Sequence, residues 1–76
     1  MDVDKLVRMA NQIAANLDYG ADKERVAAAA ADHLKRYWNS TMCNAIVEGH
    51  RKKLVDLTPV AARAVELLAE QKHTAA

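Results

Sequence analysis

The sequence predicts an all-α fold, a small single-domain bundle of about four short helices spanning residues 1–76, and three observations carry that reading. Apolar residues recur at three- and four-residue spacing and nowhere alternate over the length of a strand. The punctuation is helical: Asp22, Asn39 and Thr58-Pro59 suit helix starts, while Gly20 and Gly49 suit helix ends. At 76 residues the chain has room for one core, and no stretch of it reads as a linker between domains.

In the first helix Leu6, Met9, Ala10, Ile13 and Leu17 fall at i, i+3, i+4, i+7 and i+11 and share one stripe. Asp2 or Asp4 is placed to favour its positive end. Gly20, which tolerates the left-handed conformation, marks its stop. The second helix starts near Asp22, with Glu24 in its first turn, and sets Val26, Ala30, His33, Leu34 and Tyr37 along one face. Its Ala27 to Ala31 run leaves a smooth surface for close approach, and the expected neighbour is the first helix. This helix should end near Trp38. Asn39 or Ser40 then caps a third helix with Met42, Ala45, Ile46 and Gly49 on one face, Gly49 being its expected end. The fourth helix has the clearest start. The Thr58 hydroxyl can accept a free amide, and Pro59 at the first helical position sacrifices no hydrogen bond. Val60, Ala61, Ala64, Val65 and Leu68 form its stripe, Lys72 and His73 suit its negative end, and Thr74-Ala75-Ala76 is expected to fray.

Hydrophobic residues make up 51% of the chain, but much of that is Ala and there is no Phe, so the core is thinner than the figure suggests. A domain of this size buries about 60% of its unfolded surface and holds a few kcal/mol of net stability. Such a chain gains much from an oligomer or a larger partner.

Composition excludes several functions. With 11 basic and 10 acidic residues, net charge +1, no overall field draws the protein to nucleic acid or to an anionic membrane. No apolar run approaches the roughly 20 residues that span a bilayer. The start, Met1-Asp2-Val3-Asp4-Lys5, has neither a basic nor an apolar leader region, and a cytoplasmic location is expected. The lone Cys43 can make no internal disulfide and cannot by itself hold an iron-sulfur cluster. A half-buried structural thiol is the expected role for it. His33, Cys43 and His50 are scattered singly, without the paired spacing of a zinc site. The two glycines, each without a preceding strand, form no phosphate loop. The basic run His50-Arg51-Lys52-Lys53 falls where a helix C-terminus welcomes cations and reads as a solvated helix end.

What remains are polar and aromatic residues near the helical seams. Asn11 and Gln12 lie between Met9 and Ile13, and amides suit a helix interior only where their hydrogen bonds find partners. His33 sits beside Leu34. Tyr37 and Trp38 each join a large apolar body to a polar handle, which suits a core and an interface equally. Composition and spacing alone go no further than a small soluble helical domain.

Two segments add a resemblance. Met9-Ala10-Asn11-Gln12-Ile13-Ala14 and His33-Leu34-Lys35-Arg36-Tyr37-Trp38-Asn39-Ser40-Thr41-Met42 together resemble the delta subunit of the molybdenum-containing, NAD-dependent formate dehydrogenases. Its members carry a Met-Ala-Asn-Gln-Ile-Ala segment and later a His-Ile-x-x-Phe-Trp-Asp-Pro-Arg-Met segment. The match covers Met9, Asn11, Gln12, Ile13, His33, Trp38 and Met42, with Tyr37 standing where Phe is usual. The helix around Ala62 to Leu68 matches more weakly. Where the family reads Asp-Pro-Arg-Met-Arg, this chain has Asn39-Ser40-Thr41-Met42-Cys43, which loses a proline and two arginines but keeps a capping residue.

The resemblance implies a non-catalytic accessory subunit, without a cofactor of its own, bound to the catalytic alpha subunit that carries a molybdenum or tungsten pterin and oxidises formate to carbon dioxide. Partner iron-sulfur clusters and FMN would pass the electrons to NAD. It further implies a partner interface at the amides and the aromatic helix end: Asn11, Gln12, His33, Arg36, Tyr37, Trp38 and Met42. Two other classes remain open. A free-standing homodimer could bury the Ala-rich surface against itself, and a small DNA-binding domain could present Asn44 and Glu48 of the third helix to base edges.

Overall fold

The computed structural model describes residues 2–18, 20 and 22–74, and for residues 72–74 the backbone alone. Four helices follow in order: α1 Val3–Leu17, α2 Lys23–Tyr37, α3 Ser40–Arg51 and α4 Pro59–Thr74. Ala75 and Ala76 of the expected frayed tail lie outside the described residues, as do the side chains of Lys72 and His73.

α1 begins where Asp2 Oδ1 accepts the amides of Asp4 at 3.0 Å and Lys5 at 3.4 Å. It ends at Leu17, before the expected glycine, because Asp18 turns extended and its carboxylate accepts the Gly20 amide at 3.3 Å and Lys23 Nζ at 2.6 Å. Gly20 does take a left-handed φ of 88°, but inside the turn that follows. The buried face is Leu6, Val7, Ala10 and Ala14, rotated from the expected stripe, with Met9, Ile13 and Leu17 only half-buried along its margin. The rotation has a cause: α1 packs against α3 and α4 as well as α2, which draws Val7 and Ala14 inward.

Asp22 caps α2 as expected, its Oδ1 accepting the Glu24 amide at 3.3 Å. Val26, Ala27, Ala30, Ala31 and Leu34 are buried. The alanine surface meets chiefly α4, not α1: Ala27, Ala30 and Ala31 cluster with Ala64, flanked by Val60 and Leu67, while Ile13 and Leu17 of α1 pack at the patch's margin. Small residues on both helices permit that close approach. Tyr37 departs from the expected apolar face. It is 72% exposed, because it is the last helical residue and the chain turns there to send Trp38, 8% exposed, into the core instead.

Asn39 caps α3, its Oδ1 accepting the Met42 amide at 2.9 Å. The helix runs straight through Gly49, the expected end, to Arg51. Its stop comes at Lys53, which adopts φ 59° while the Leu54 amide reaches back to the Gly49 carbonyl at 2.9 Å. Gly49 serves packing: a Cβ there would lie 2.9 Å from Val55 Cγ1. α4 starts as its sequence predicts, with Thr58 Oγ1 accepting the Ala61 amide at 3.3 Å ahead of Pro59, and it buries Ala61, Ala64, Val65 and Leu68.

The main core joins all four helices through Leu6, Val7, Leu34, Trp38, Cys43, Ile46, Val65 and Leu68. Among the described residues it contains no buried polar or charged side chain. The radius of gyration, 11.2 Å, matches the value of about 11 Å expected for a compact chain of this length.

Candidate functional site

The seven residues singled out by sequence fall into three settings. Asn11 is half-buried and points at the connection between α3 and α4. Its Oδ1 accepts the Thr58 amide at 3.0 Å and its Nδ2 donates to the Asp56 carbonyl at 3.4 Å. Gln12, one residue on and about 100° around the helix, is exposed and donates to Asn16 Oδ1 at 3.2 Å. The two amides therefore serve different surfaces.

The end of α2 forms the second setting. His33 is half-buried and its ring lies 4.6 Å from that of Tyr37, centroid to centroid, at 42°. Arg36 is exposed and meets Asp32 at 3.1 Å across one helical turn. Beneath them lie Trp38, buried in the main cluster, and Met42, half-buried against it. The helix end thus offers one outward aromatic ring and one guanidinium, with Trp38 acting as support.

A network that the sequence did not announce ties α2 to α4. Arg63 Nε donates to both oxygens of Glu24, at 3.0 and 3.2 Å, and its Nη2 adds a bond of 2.9 Å to Glu24 Oε2. Glu66 at 3.3 Å and Glu70 at 3.7 Å complete the acidic surroundings, and Glu66 also meets His50 Nε2 at 3.3 Å. The bidentate bond from Arg63 holds the Glu24 carboxyl below the usual carboxylate range, and Glu24 in turn pushes the Arg63 guanidinium further toward its charged form. The spacing of Arg63, Glu66 and Glu70 is visible in the sequence, but their cross-helix partner Glu24 is not. This network rims a mostly apolar groove of about 420 Å³ between α1 and the starts of α2 and α4, walled by Ala14, Ala15, Pro59 and Val60.

Cys43 is buried, with Sγ 3.8 Å from the Leu34 carbonyl oxygen and 4.0 Å from that of Trp38, the setting of a structural thiol. Among the described residues no group of three or more His, Cys, Asp or Glu side chains could hold a metal ion. No helix among them is long and apolar enough to cross a membrane. The basic end of α3 is partly neutralised where Glu48 meets Arg51 at 2.8 Å and Lys52 at 3.9 Å.

No curated protein and no solved structure matches the chain significantly. A family model does: that of the "NADH-dependant formate dehydrogenase delta subunit FdsD" matches residues 5–65, which takes in α1, α2, α3 and the first half of α4. Both segments that carry the sequence resemblance lie inside the match. A match over most of the chain, spanning all four helices of an all-α structure, means that the protein belongs to the delta subunit family of NADH-dependent formate dehydrogenases, accessory subunits of a dehydrogenase complex.

Proposed function

We propose that this chain is a non-catalytic accessory subunit that binds the molybdopterin-carrying catalytic subunit of its formate dehydrogenase and supports that subunit's assembled or cofactor-loaded state. The family match over residues 5–65 carries the reading. The redox groups, a pterin-bound metal, iron-sulfur clusters and FMN leading to NAD, belong to the partner subunits in this reading. This chain contributes surface.

The C-terminal end of α2 is the contact we assign. Tyr and Arg are enriched at the energetic centres of protein interfaces, and here Tyr37 stands outward, its ring tilted against that of His33, with exposed Arg36 before it in the chain. Trp38 and Met42 hold that end in place from below, and Asn11 fixes the α3–α4 connection on the other side of α1.

Burial decides which variant tests this. Trp38→Ala removes a core side chain at a cost of about 3–5 kcal/mol, comparable with the whole stability of so small a domain, so it would abolish binding by unfolding the chain. Tyr37→Ala, at an exposed position, changes stability by about 0.5 kcal/mol or less. Co-purification of the tagged chain with the dehydrogenase should therefore drop sharply in Tyr37→Ala while its helical circular dichroism and melting temperature hold. Unchanged recovery and unchanged formate-dependent NAD reduction would remove the α2 end from the interface.

A further inference from the structure

A second surface stands out by its charges. Among the described residues every acidic side chain except Asp4 and Asp56 is engaged inside the molecule. Asp2 and Asp22 cap helices, Asp18 meets Lys23, Asp32 meets Arg36, Glu48 meets Arg51, and Glu24, Glu66 and Glu70 surround Arg63. The cations are not so matched. Lys5 and Arg8 on α1 make no ion pair among the described residues, and Asp4, one turn before Arg8, leaves it unpaired.

These two cations flank an apolar furrow. Lys5, Met9 and Ile13 form one i, i+4 ridge of α1, Arg8 and Gln12 form the next, and a shallow mostly apolar groove runs between them. Met9 and Ile13 are half-buried there, packed on the core by their inner sides. The furrow is about 12 Å long, two helical turns, and its cationic half lies at the positive end of the α1 dipole. The groove beside Arg63 differs on this point, because its charges already satisfy one another in the Asp18–Lys23 and Glu24–Arg63 pairs.

We propose that the α1 flank formed by Lys5, Arg8, Met9, Gln12 and Ile13 seats an acidic amphipathic helix of another subunit of the dehydrogenase complex. An apolar ridge of that helix lies in the furrow against Met9 and Ile13, and its carboxylates meet Lys5 and Arg8. A second copy of this chain is poorly suited to the place, because its own acids are held in caps and ion pairs and only Asp4 and Asp56 remain to offer. The proposal rests on the accessory-subunit reading and adds a surface distinct from the α2 end.

The test uses the intact complex, recovered through the tagged chain at low and at raised salt. The double reversal Lys5→Glu with Arg8→Glu should lower recovery of the partner subunits about tenfold or more at low salt, where electrostatic complementarity counts most, and raised salt should shrink the difference from the unaltered chain. Arg25→Glu, at an exposed cation near the start of α2 and outside both the flank and the α2 end, should leave recovery unchanged. Arg8→Gln, which removes one charge without adding another, should weaken binding in the same direction, and it decides the matter if the double variant loses its helical signal. Equal recovery of the flank variants and the unaltered chain would overturn the proposal, as would an equal loss in Arg25→Glu. A homodimer of the isolated chain that the double reversal dissociates would give the flank to a second copy and overturn it too. Failure of the unaltered chain to recover any dehydrogenase subunit would instead strike the accessory-subunit reading from which it starts.

Discussion

Asn11 and Gln12 are neighbours that look alike in the sequence and do different work in the fold. Asn11 bonds two backbone groups of the α3–α4 connection, the Thr58 amide and the Asp56 carbonyl, across 47 and 45 residues of chain. Asn11→Ala removes both bonds and should cost about 0.5–1.5 kcal/mol, seen as a lower urea midpoint, whereas Gln12→Ala should move it by less than about 0.5 kcal/mol. Helical periodicity could not separate the two, because the partners of Asn11 become near only once α4 folds back. Gly49 carries the same lesson. Its sequence position suggested a helix stop, but its lack of a side chain serves Val55, whose Cγ1 would lie 2.9 Å from an added Cβ and Val3 Cγ1 3.7 Å away. Gly49→Ala would gain about 1 kcal/mol of helix propensity, yet the β-branched Val55, stiff at χ1, must shift to admit the methyl, and overpacking costs about 1–3 kcal/mol. The expected outcome is a lower melting temperature, and a higher one would show that the 54–58 connection yields easily.

Helix starts were legible and helix partners were not. Asp22, Asn39 and Thr58 cap α2, α3 and α4 where the sequence placed them, because a cap is a local bond between a side chain and an amide two or three residues on. Asn39→Ala should accordingly lower stability by about 1 kcal/mol, and since Asn39 sits where the delta subunit family has Asp, Asn39→Asp should retain it. The ends of α1 and α3 misled for a physical reason. Asp18 and Lys53 supply the terminating conformations, so the glycines were not needed for them. The alanine run of α2 was plainly a packing surface, but the choice of α4 over α1 depends on Ala64, a small residue facing it from 33 to 37 positions away. Ala30→Leu should therefore force α2 and α4 apart and destabilise the chain by about 1–3 kcal/mol, while Ala28→Leu, on the exposed face of the same run, should not.

At the scale of the molecule the chain couples a slight apolar core to a surface whose acids are mostly held in helix caps and ion pairs, and that arrangement has a pH signature. Glu24 is held below its usual 4.5 first by its hydrogen bonds from Arg63, Glu48 likewise by Arg51, and Asp18 below its usual 3.8 by Lys23 and the Gly20 amide. A carboxylate whose folded pKa is depressed binds fewer protons folded than unfolded. Its contribution is thus complete above the unfolded value and fades as pH falls through the folded one. For Glu24 and Glu48 that loss begins near pH 4.5 and continues below, and for Asp18 it begins near 3.8. Only one of the three pairs joins separate helices. Asp18–Lys23 closes a turn and Glu48–Arg51 lies within α3, whereas Glu24–Arg63 clamps α2 to α4 beside the alanine seam. Glu24→Gln should hence reduce the melting temperature near neutral pH and flatten its decline from pH 5 to pH 3, with Arg63 still held by Glu66 and Glu70. Raised salt should narrow the gap between the two proteins, because both side chains of the pair face solvent. Parallel curves for Glu24→Gln and the unaltered chain across that range would show that the clamp forms without stabilising the fold, and would leave the α2–α4 seam to its apolar packing.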